Sequence, residues 1–221
     1  MAEPRGTRRV TFLVNAGGNF LGAAVAFLYF RLVDHHAASL PRVSLHDLVH
    51  PLLVFAGLLA LGNWLNHRWV APINRATQGH PLSEREAALV RRRALLFPYA
   101  LAGISVVGWL LAGVLWGVVW PFLAGTLAPH RVARAFFGNT VIAGGVTCTF
   151  IFFSVEHYWR SRIPTFFPEG DLSTVRNAPR FPVRARLLAI FFMVSLVPLS
   201  VLAVLSYTRA LALVGADPPP Q

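Results

Sequence analysis

The chain has 221 residues, of which 55% are hydrophobic and only 13% are charged, and its mean hydropathy is positive at +0.56. This balance argues against a water-soluble fold. All 20 basic residues are arginine and the formal net charge is +11, but the arginines flank apolar stretches instead of forming one basic face, which argues against binding of nucleic acid.

Five stretches of the chain contain no charged residue: 10–30, 48–67, 94–129, 135–155 and 187–208. A helix rises about 1.5 Å per residue, so ~20 residues cross a hydrocarbon core of ~30 Å, and unpaired backbone groups are costly there. The sequence therefore predicts an all-α, polytopic transmembrane helical bundle. About five spans form one domain over 1–214, at 11–32, 48–69, 95–119, 135–157 and 187–209, before a proline-rich tail at 215–221.

The arginines fall on alternate sides of the predicted membrane. With the N-terminus in the cytoplasm, fifteen of the 20 arginines lie in cytoplasmic segments, and the opposite orientation would reverse this split. The sequence therefore predicts a cytoplasmic N-terminus, with the lipid bilayer as partner. The first apolar run is longer than the core of a usual signal peptide, so we interpret it as a retained helix.

The first predicted helix carries small and amide side chains at helical spacing. Gly18-x-x-x-Gly22 is a face that permits close helix approach, either within one chain or in a dimer. Asn15 and Asn19 lie one turn apart, and we expect both to bond to a neighbouring helix.

The next loop contains scattered histidines. If 46–50 is helical, His46 and His50 share a face, which makes them weak candidates for a metal site. A pH response through these imidazoles is a second minor alternative. The favoured interpretation is a wet interfacial loop without a metal.

The connection between the second and third spans contains both breakers and a helix start. Pro72, Gly79 and Pro81 are expected to interrupt the helix. Ser83 and Glu86 have the spacing of a capping box, from which a helix should run through the arginines at 91–93 into the third span. In that span, Gly113-x-x-x-Gly117 predicts another close-packing face.

The chain has no recognisable catalytic motif and no expected cofactor. Cys148 is the only cysteine, which excludes a disulfide framework and a cysteine-based metal site within one chain. The spans hold almost no ionisable residues, which argues against a proton pump or an ion-coupled transporter.

Two motifs near the last span carry a resemblance. The first is Arg162-x-Pro164 followed by 167–173, Phe-Pro-Glu-Gly-Asp-Leu-Ser, and the second is 182–188, Pro-Val-Arg-Ala-Arg-Leu-Leu, followed by 191–199. Together they resemble the N-terminal membrane region of bacterial class III adenylate/guanylate cyclases, the type with six membrane helices, a HAMP linker and a cyclase domain. The resemblance extends over roughly 10–214, but this chain stops before the sixth helix, the HAMP linker and the catalytic domain.

This resemblance implies a membrane anchor or sensor module in a bacterial cytoplasmic (inner) membrane. The module is itself non-catalytic and is expected to form a homo-oligomer, a dimer, through its membrane helices. Its expected coupling residues are an elbow, two lipid-facing anchors and a kink in the last span: Phe167, Pro168, Glu169, Gly170, Asp171, Arg184, Arg186 and Pro198. Simple topology is the alternative explanation for the elbow and the anchors. The membrane module of a sensor histidine kinase, a small transporter or export subunit, and a structural membrane protein remain alternative functions.

Overall fold

A computed structural model describes residues 4–33, residues 45–167 and isolated positions between 184 and 210. Within these residues the structure is helical and contains no strand, which confirms the all-α prediction. Four helices follow one another: α1 is Pro4–Val33, α2 is Leu45–Thr77, α3 begins with Glu84–Val114, and α4 begins with Pro129–Phe136. α3 continues through a π-helical segment, Leu115–Val119, to Trp120–Leu123, and α4 continues through a π-helical segment, Phe137–Ala143, to Gly144–Arg160.

The surface of the bundle is apolar over most of its length. Large hydrophobic side chains stand exposed on every helix, among them Phe12, Phe20, Leu53, Val107 and Phe150. Among the described residues, three helices are long and apolar enough to cross a membrane: Arg9–Phe30, Glu84–Leu123 and Arg131–Arg160. A water-soluble protein rarely exposes so much contiguous apolar surface, so the chain is an integral membrane protein.

Neighbouring helices in the bundle run antiparallel. α3 packs along both α2 and α4, and α1 packs along α4 with a smaller contact to α2. The direction of α4 against α1 follows from Thr147, whose Oγ1 donates to the carbonyl oxygen of Gly18 at 3.1 Å, and from Tyr29, whose ring lies 6.3 Å from that of Phe137. This is the up-and-down arrangement of a four-helix bundle.

The buried residues divide between two levels of the bundle. The larger cluster joins α2, α3 and α4 at the level where α3 begins, and it consists of Val70, Ile73, Ala94, Phe97, Leu101, Ile151, Val155 and Trp159. A smaller cluster at the other end joins α1, α3 and α4 through Ala26, Trp109, Ala112 and Ala143. The larger cluster positions the end of α4 and the residues after it.

The connection between α2 and α3 corrects one prediction and confirms another. α2 runs through Pro72 to Thr77, so the interpretation of Pro72 as a helix breaker is wrong. The helix ends at Thr77, and Gly79 in the following turn has a φ of 77°, the left-handed conformation that glycine adopts easily. The capping box is confirmed: the Glu86 carboxylate accepts from the Ser83 backbone N–H at 3.0 Å, and the Ser83 hydroxyl accepts from the Glu86 backbone N–H at 3.4 Å.

Candidate functional site

The predicted close-packing face of α1 lies against α4 within the same chain. A Cβ added at Gly18 would be 2.6 Å from Cγ1 of Ile151, and one added at Gly22 would overlap the hydroxyl of Thr147 and lie 2.6 Å from Cζ2 of Trp109. Real Cβ atoms essentially never approach other atoms so closely. Both glycines are therefore needed for α1 to approach its neighbours.

The second predicted glycine face also packs inside the chain. A Cβ at Gly113 would be 2.5 Å from Oγ1 of Thr140, and one at Gly117 would be 3.4 Å from the carbonyl oxygen of Val132. These glycines bring α3 close to the first half of α4. Since all four predicted glycines make contacts within one chain, they are not available as the surface of a dimer.

At Pro98 and Pro72, a neighbouring helix supplies a donor to the backbone carbonyl that the proline leaves without its usual donor. Pro98 has no N–H to offer the carbonyl of Ala94 four residues earlier. Nε1 of Trp159 donates to that oxygen at 2.7 Å, in a fully buried position. The spacing of Ala94 and Pro98 is visible in the sequence, whereas the donor from α4 is not.

A side chain of α3 supplies hydrogen bonds near the proline inside α2 as well. Pro72 leaves the carbonyl of Arg68 without an intrahelical donor. Nη1 of Arg93 donates to the carbonyl oxygen of Trp69 at 3.2 Å and lies 3.5 Å from that of Arg68. The Arg93 guanidinium also lies over the Trp69 ring, 5.1 Å from its centroid. Arg93 thus joins α2 to α3.

The residues after α4 are held against the bundle core. A 3-10 turn, Ile163–Phe166, follows α4, and the Phe166 ring stacks on Trp159 with centroids 5.9 Å apart and an angle of 26° between the planes. Phe167, the first residue of the predicted elbow, is 7% exposed. The chain therefore leaves α4 along a path fixed by the same tryptophan that binds α3.

Most other members of the predicted coupling set lie outside the described residues, namely Pro168, Glu169, Gly170, Asp171 and Arg186. Arg184 and Pro198 occupy helical, exposed positions, and the predicted kink at Pro198 stays a prediction. His46 and His50 lie in the first turns of α2, and their side chains are outside the described set. Where side chains are described, no three His, Cys, Asp or Glu residues come together as metal ligands.

Amide side chains line the contact between α1 and α2. Nδ2 of Asn15 donates to Oδ1 of Asn63 at 3.0 Å, which confirms the predicted bond from Asn15 to a neighbouring helix. Asn19 instead bonds within α1, where its Nδ2 donates to the Asn15 carbonyl at 2.8 Å. The prediction for Asn19 is therefore wrong, because its side chain bonds to the backbone carbonyl of Asn15, one turn earlier in the same helix.

One amide at this contact has no partner. Asn66 is 3% exposed, and neither its Nδ2 nor its Oδ1 forms a hydrogen bond within the part of the chain that the structure describes. It lines a cavity of about 250 Å³ together with Asn63, Asn74 and Thr11. A buried amide without a partner costs free energy, so Asn66 destabilises the bundle at this cavity.

A larger cavity of about 510 Å³ lies where α2, α3 and the end of α4 meet. Its polar lining includes Arg91, Arg162 and Asn74, and its apolar lining includes Val90 and Trp159. It therefore adjoins both the larger core cluster and the turn that leads away from α4.

Arginines concentrate at this end of the bundle, where α1 and α3 begin and α2 and α4 end. Within the described ranges, the arginine positions at this end are 5, 8, 9, 68, 75, 85, 91, 92, 93, 160 and 162, whereas 31, 131 and 134 lie toward the opposite end. The large cavity thus opens in a strongly basic region.

Comparison with protein families, with curated proteins and with solved structures finds no match to this chain.

Proposed function

We propose that this chain is the membrane anchor and sensor module of a signal-transduction protein, the N-terminal part of a receptor similar to adenylate/guanylate cyclases. The proposal includes about five spans, a cytoplasmic N-terminus and a location in the bacterial cytoplasmic membrane. The chain carries no catalytic group of its own in this role. Its helices would adopt two alternative packing arrangements. A change from one to the other would move the residues that follow α4.

The observation that carries this proposal is the position of Trp159. Its indole N–H donates to the Ala94 carbonyl of α3, its ring lies 4.5 Å from that of Phe97, and the Phe166 ring stacks on it. A displacement of α3 against α4 would therefore move Phe166 and Phe167 directly. Because the next residues lead to the helical positions from 184 onward, the displacement would reach the last predicted span.

The concentration of arginines at one end supports the proposed orientation. Arginine-rich ends of membrane helices face the cytoplasm in most membrane proteins. With that orientation the turn after α4 lies on the cytoplasmic side, where an output domain of a cyclase or kinase would have to lie.

Signalling between two packing states requires a stimulus that binds them with different affinity. The contact between α1 and α2 has the features of an adjustable part of the bundle. It is smaller than the other contacts between neighbouring helices, and it contains the unpartnered amide of Asn66. A shift of α1 against α2 would break few apolar contacts and would change the surroundings of Asn66.

The test uses the natural gene product in membranes of a strain without its own adenylate cyclase. We expect the gene to continue in frame into a sixth span, a linker and a cyclase domain, and the membranes to form cyclic AMP or cyclic GMP. Trp159→Phe removes the bond to Ala94 and should change the basal rate severalfold, whereas Trp64→Phe, at an exposed position of α2, should not.

Two outcomes would contradict the proposal. One is a gene product that has no output domain and no encoded signalling partner beside it. The other is a cyclase rate that responds equally to the two tryptophan substitutions. If the continuation encodes a histidine kinase domain, autophosphorylation replaces cyclic nucleotide as the readout, and the proposal changes only in its output.

A small transporter is the second candidate, because the cavity at Asn66 places an unpartnered amide inside the bundle. On that view Asn66 contacts a polar solute directly. Uptake or export by proteoliposomes that is lost in Asn66→Leu, in a gene product without an output domain, would favour this candidate over the sensor.

The proposed homodimer needs a surface other than the four predicted glycines. Gly17, Gly103 and Gly108 have open space where a Cβ would be, so a second chain has room to approach there. Crosslinking of Gly17→Cys in a Cys148→Ser background tests this surface, and a monomer in mild detergent and in membranes would contradict the dimer.

A further inference from the structure

The contact between α1 and α2 contains a cavity of about 250 Å³ with an unsatisfied amide in its wall. Asn66 is 3% exposed, and neither its Nδ2 nor its Oδ1 has a partner within the described chain. Two half-buried asparagines, Asn63 and Asn74, line the same cavity. Because buried side-chain amides nearly always have hydrogen-bond partners, Asn66 indicates a molecule that enters the cavity.

The cavity lies toward the end of the bundle where α1 begins and α2 ends. On α1 its lining starts at Thr11, shortly after Arg9, and on α2 it reaches Asn74 in the last turn of the helix. Arg9 and Arg75 are both exposed. Since charged side chains avoid the hydrocarbon core, this level of the bundle lies near water, and a dissolved polar molecule can reach the cavity.

The lining carries no fixed charge among the side chains that the structure describes. Its one ionisable residue there is His67, which is exposed. Phe12 and Val70 contribute apolar side chains to the same lining. A charged molecule would lose hydration in this cavity without gaining an opposite charge, which is costly. The lining therefore favours a neutral molecule that has an apolar part.

The side chain of Asn66 offers a donor beside an acceptor. Its Nδ2 carries two hydrogens, and its Oδ1 has two lone pairs in the plane of the amide. A planar group with a carbonyl next to an N–H can pair with both atoms at once. A molecule with a carbonyl alone would leave Oδ1 buried and unpaired, which costs free energy. The unsatisfied pair of atoms thus selects a ligand that is itself an amide.

Asn63 is oriented so that it adds a donor. Its Oδ1 accepts from Nδ2 of Asn15 at 3.0 Å, so its amino group is what it can offer at the cavity. Asn15 is 2% exposed, and its own Oδ1 accepts from Nδ2 of Asn19 at 3.2 Å. These linked amides fix the orientation of Asn63 before a ligand arrives, and such preorganisation lowers the cost of binding.

We propose that this cavity binds a small neutral molecule with a carboxamide, lactam or urea group. The carbonyl and N–H of that group pair with Asn66, and its apolar part packs on Phe12 and Val70. Apolar walls with a few placed polar groups are the usual form of a small-molecule site, and drug-sized ligands occupy roughly 300–1,000 Å³, so this ligand is small. An occupant would join α1 to α2, because both helices line the cavity.

The experiment measures binding to the full chain, purified in mild detergent and labelled with ¹⁵N in its asparagine side chains. Benzamide is titrated as the probe. Acetophenone, which keeps the ring and the carbonyl but has no N–H, and benzoate, which is charged, are titrated as controls. Binding is followed by the NMR signals of the asparagine amide groups and by the thermal unfolding midpoint.

The variants are Asn66→Leu and Asn66→Ala, with Asn139→Leu as the matched control. Asn139 is a buried asparagine of α4 that donates to the Ala135 carbonyl and does not line the cavity. Asn66→Ala separates loss of the amide from filling of the cavity by leucine, and it replaces Asn66→Leu if that variant does not accumulate.

We expect benzamide to shift the Asn66 signals saturably. Acetophenone and benzoate should bind at least about tenfold more weakly, because each leaves Oδ1 of Asn66 without a donor. Both Asn66 variants should lose saturable binding of benzamide, as read from the unfolding midpoint, whereas Asn139→Leu should bind as the unchanged chain does.

Three results would overturn the proposal: shifts that never saturate, equal affinity for benzamide and acetophenone, or unchanged binding in both Asn66 variants. The first would mean that the cavity holds water alone. The site does not rest on the proposed signalling output. A gene product without an output domain would contradict that output and leave the binding result unchanged, so the two proposals can fail separately.

Discussion

Nε1 of Trp159 donates to the carbonyl oxygen of Ala94 at 2.7 Å, and this carbonyl is the one that Pro98 leaves without a helical donor. The bond joins α3 to α4 within the larger core cluster. In lipid an unpaired carbonyl has no water to bond, so the tryptophan satisfies a need that the sequence of α3 itself creates.

The first prediction concerns this pair. Trp159→Phe should lower the free energy of unfolding by about 2–4 kcal/mol, because it leaves a buried carbonyl unpaired and a space beside Phe97. The measurement is unfolding of the purified chain in mild detergent micelles by added denaturing detergent. In a Pro98→Ala background, residue 98 regains an N–H for Ala94, so the loss should be smaller by about 1 kcal/mol. Strictly additive losses would show that the bond to Ala94 contributes nothing.

The second prediction compares two glycines of α1. Gly22→Ala should destabilise the bundle by about 1–3 kcal/mol, since its Cβ would overlap Thr147 and press on Trp109. Gly17→Ala is the matched control, because open space surrounds that position. Alanine there should be neutral or should raise stability by up to about 1 kcal/mol through its better helix propensity. A similar effect of both changes on the thermal unfolding midpoint would contradict the packing described here.

The third prediction concerns Arg93. Arg93→Gln should destabilise the contact between α2 and α3 by about 1–3 kcal/mol, because it removes a charge-assisted bond to the Trp69 carbonyl and the contact with the Trp69 ring. Arg92→Gln removes the same charge from an exposed position and should cost less than about 0.5 kcal/mol. Protease cleavage within 78–82 reports separation of the two helices. Equal cleavage of the two variants would show that Arg93 contributes no more to the contact between α2 and α3 than the exposed Arg92 does.

The fourth prediction compares two asparagines of α2, whose replacement is expected to change stability in opposite directions. Asn66→Leu removes an amide that has no partner among the described residues and should raise stability by about 1 kcal/mol. Asn63→Leu removes the acceptor of Asn15 and should lower stability by about 1–2 kcal/mol. Unfolding in detergent compares the two directly. If Asn66→Leu lowered stability instead, the amide would have a bound partner in the cavity, such as ordered water.

Composition and local spacing were sufficient to predict the helical class, the capping box at Ser83 and the pairing of Asn15 with another helix. These features depend on residues close together in the sequence or on the solvent that surrounds the whole chain. The prediction failed at Pro72, because the rule that proline ends a helix does not consider donors from other helices. The π-helical segments in α3 and α4 were not anticipated either.

The candidate site was less accessible to sequence reasoning than the fold. The elbow was expected at 167–173, and the structure places Phe167 against the bundle, but the ring that fixes this exit is Trp159, which the sequence analysis did not single out. Arg91 and Arg162 are 71 positions apart in the sequence, so only the antiparallel packing of α3 and α4 brings them to one cavity. Pairings of this kind depend on tertiary register, which local patterns do not specify.

The bond between Trp159 and Ala94 also constrains the order in which the protein is built in the membrane. α3 leaves the ribosome before α4, and until α4 arrives the Ala94 carbonyl has no donor in the lipid. Insertion of α3 alone therefore leaves this carbonyl unpaired, and we expect the two helices to fold together as a hairpin. A nascent chain that ended before the end of α4 would expose this defect to the quality-control proteases of the membrane.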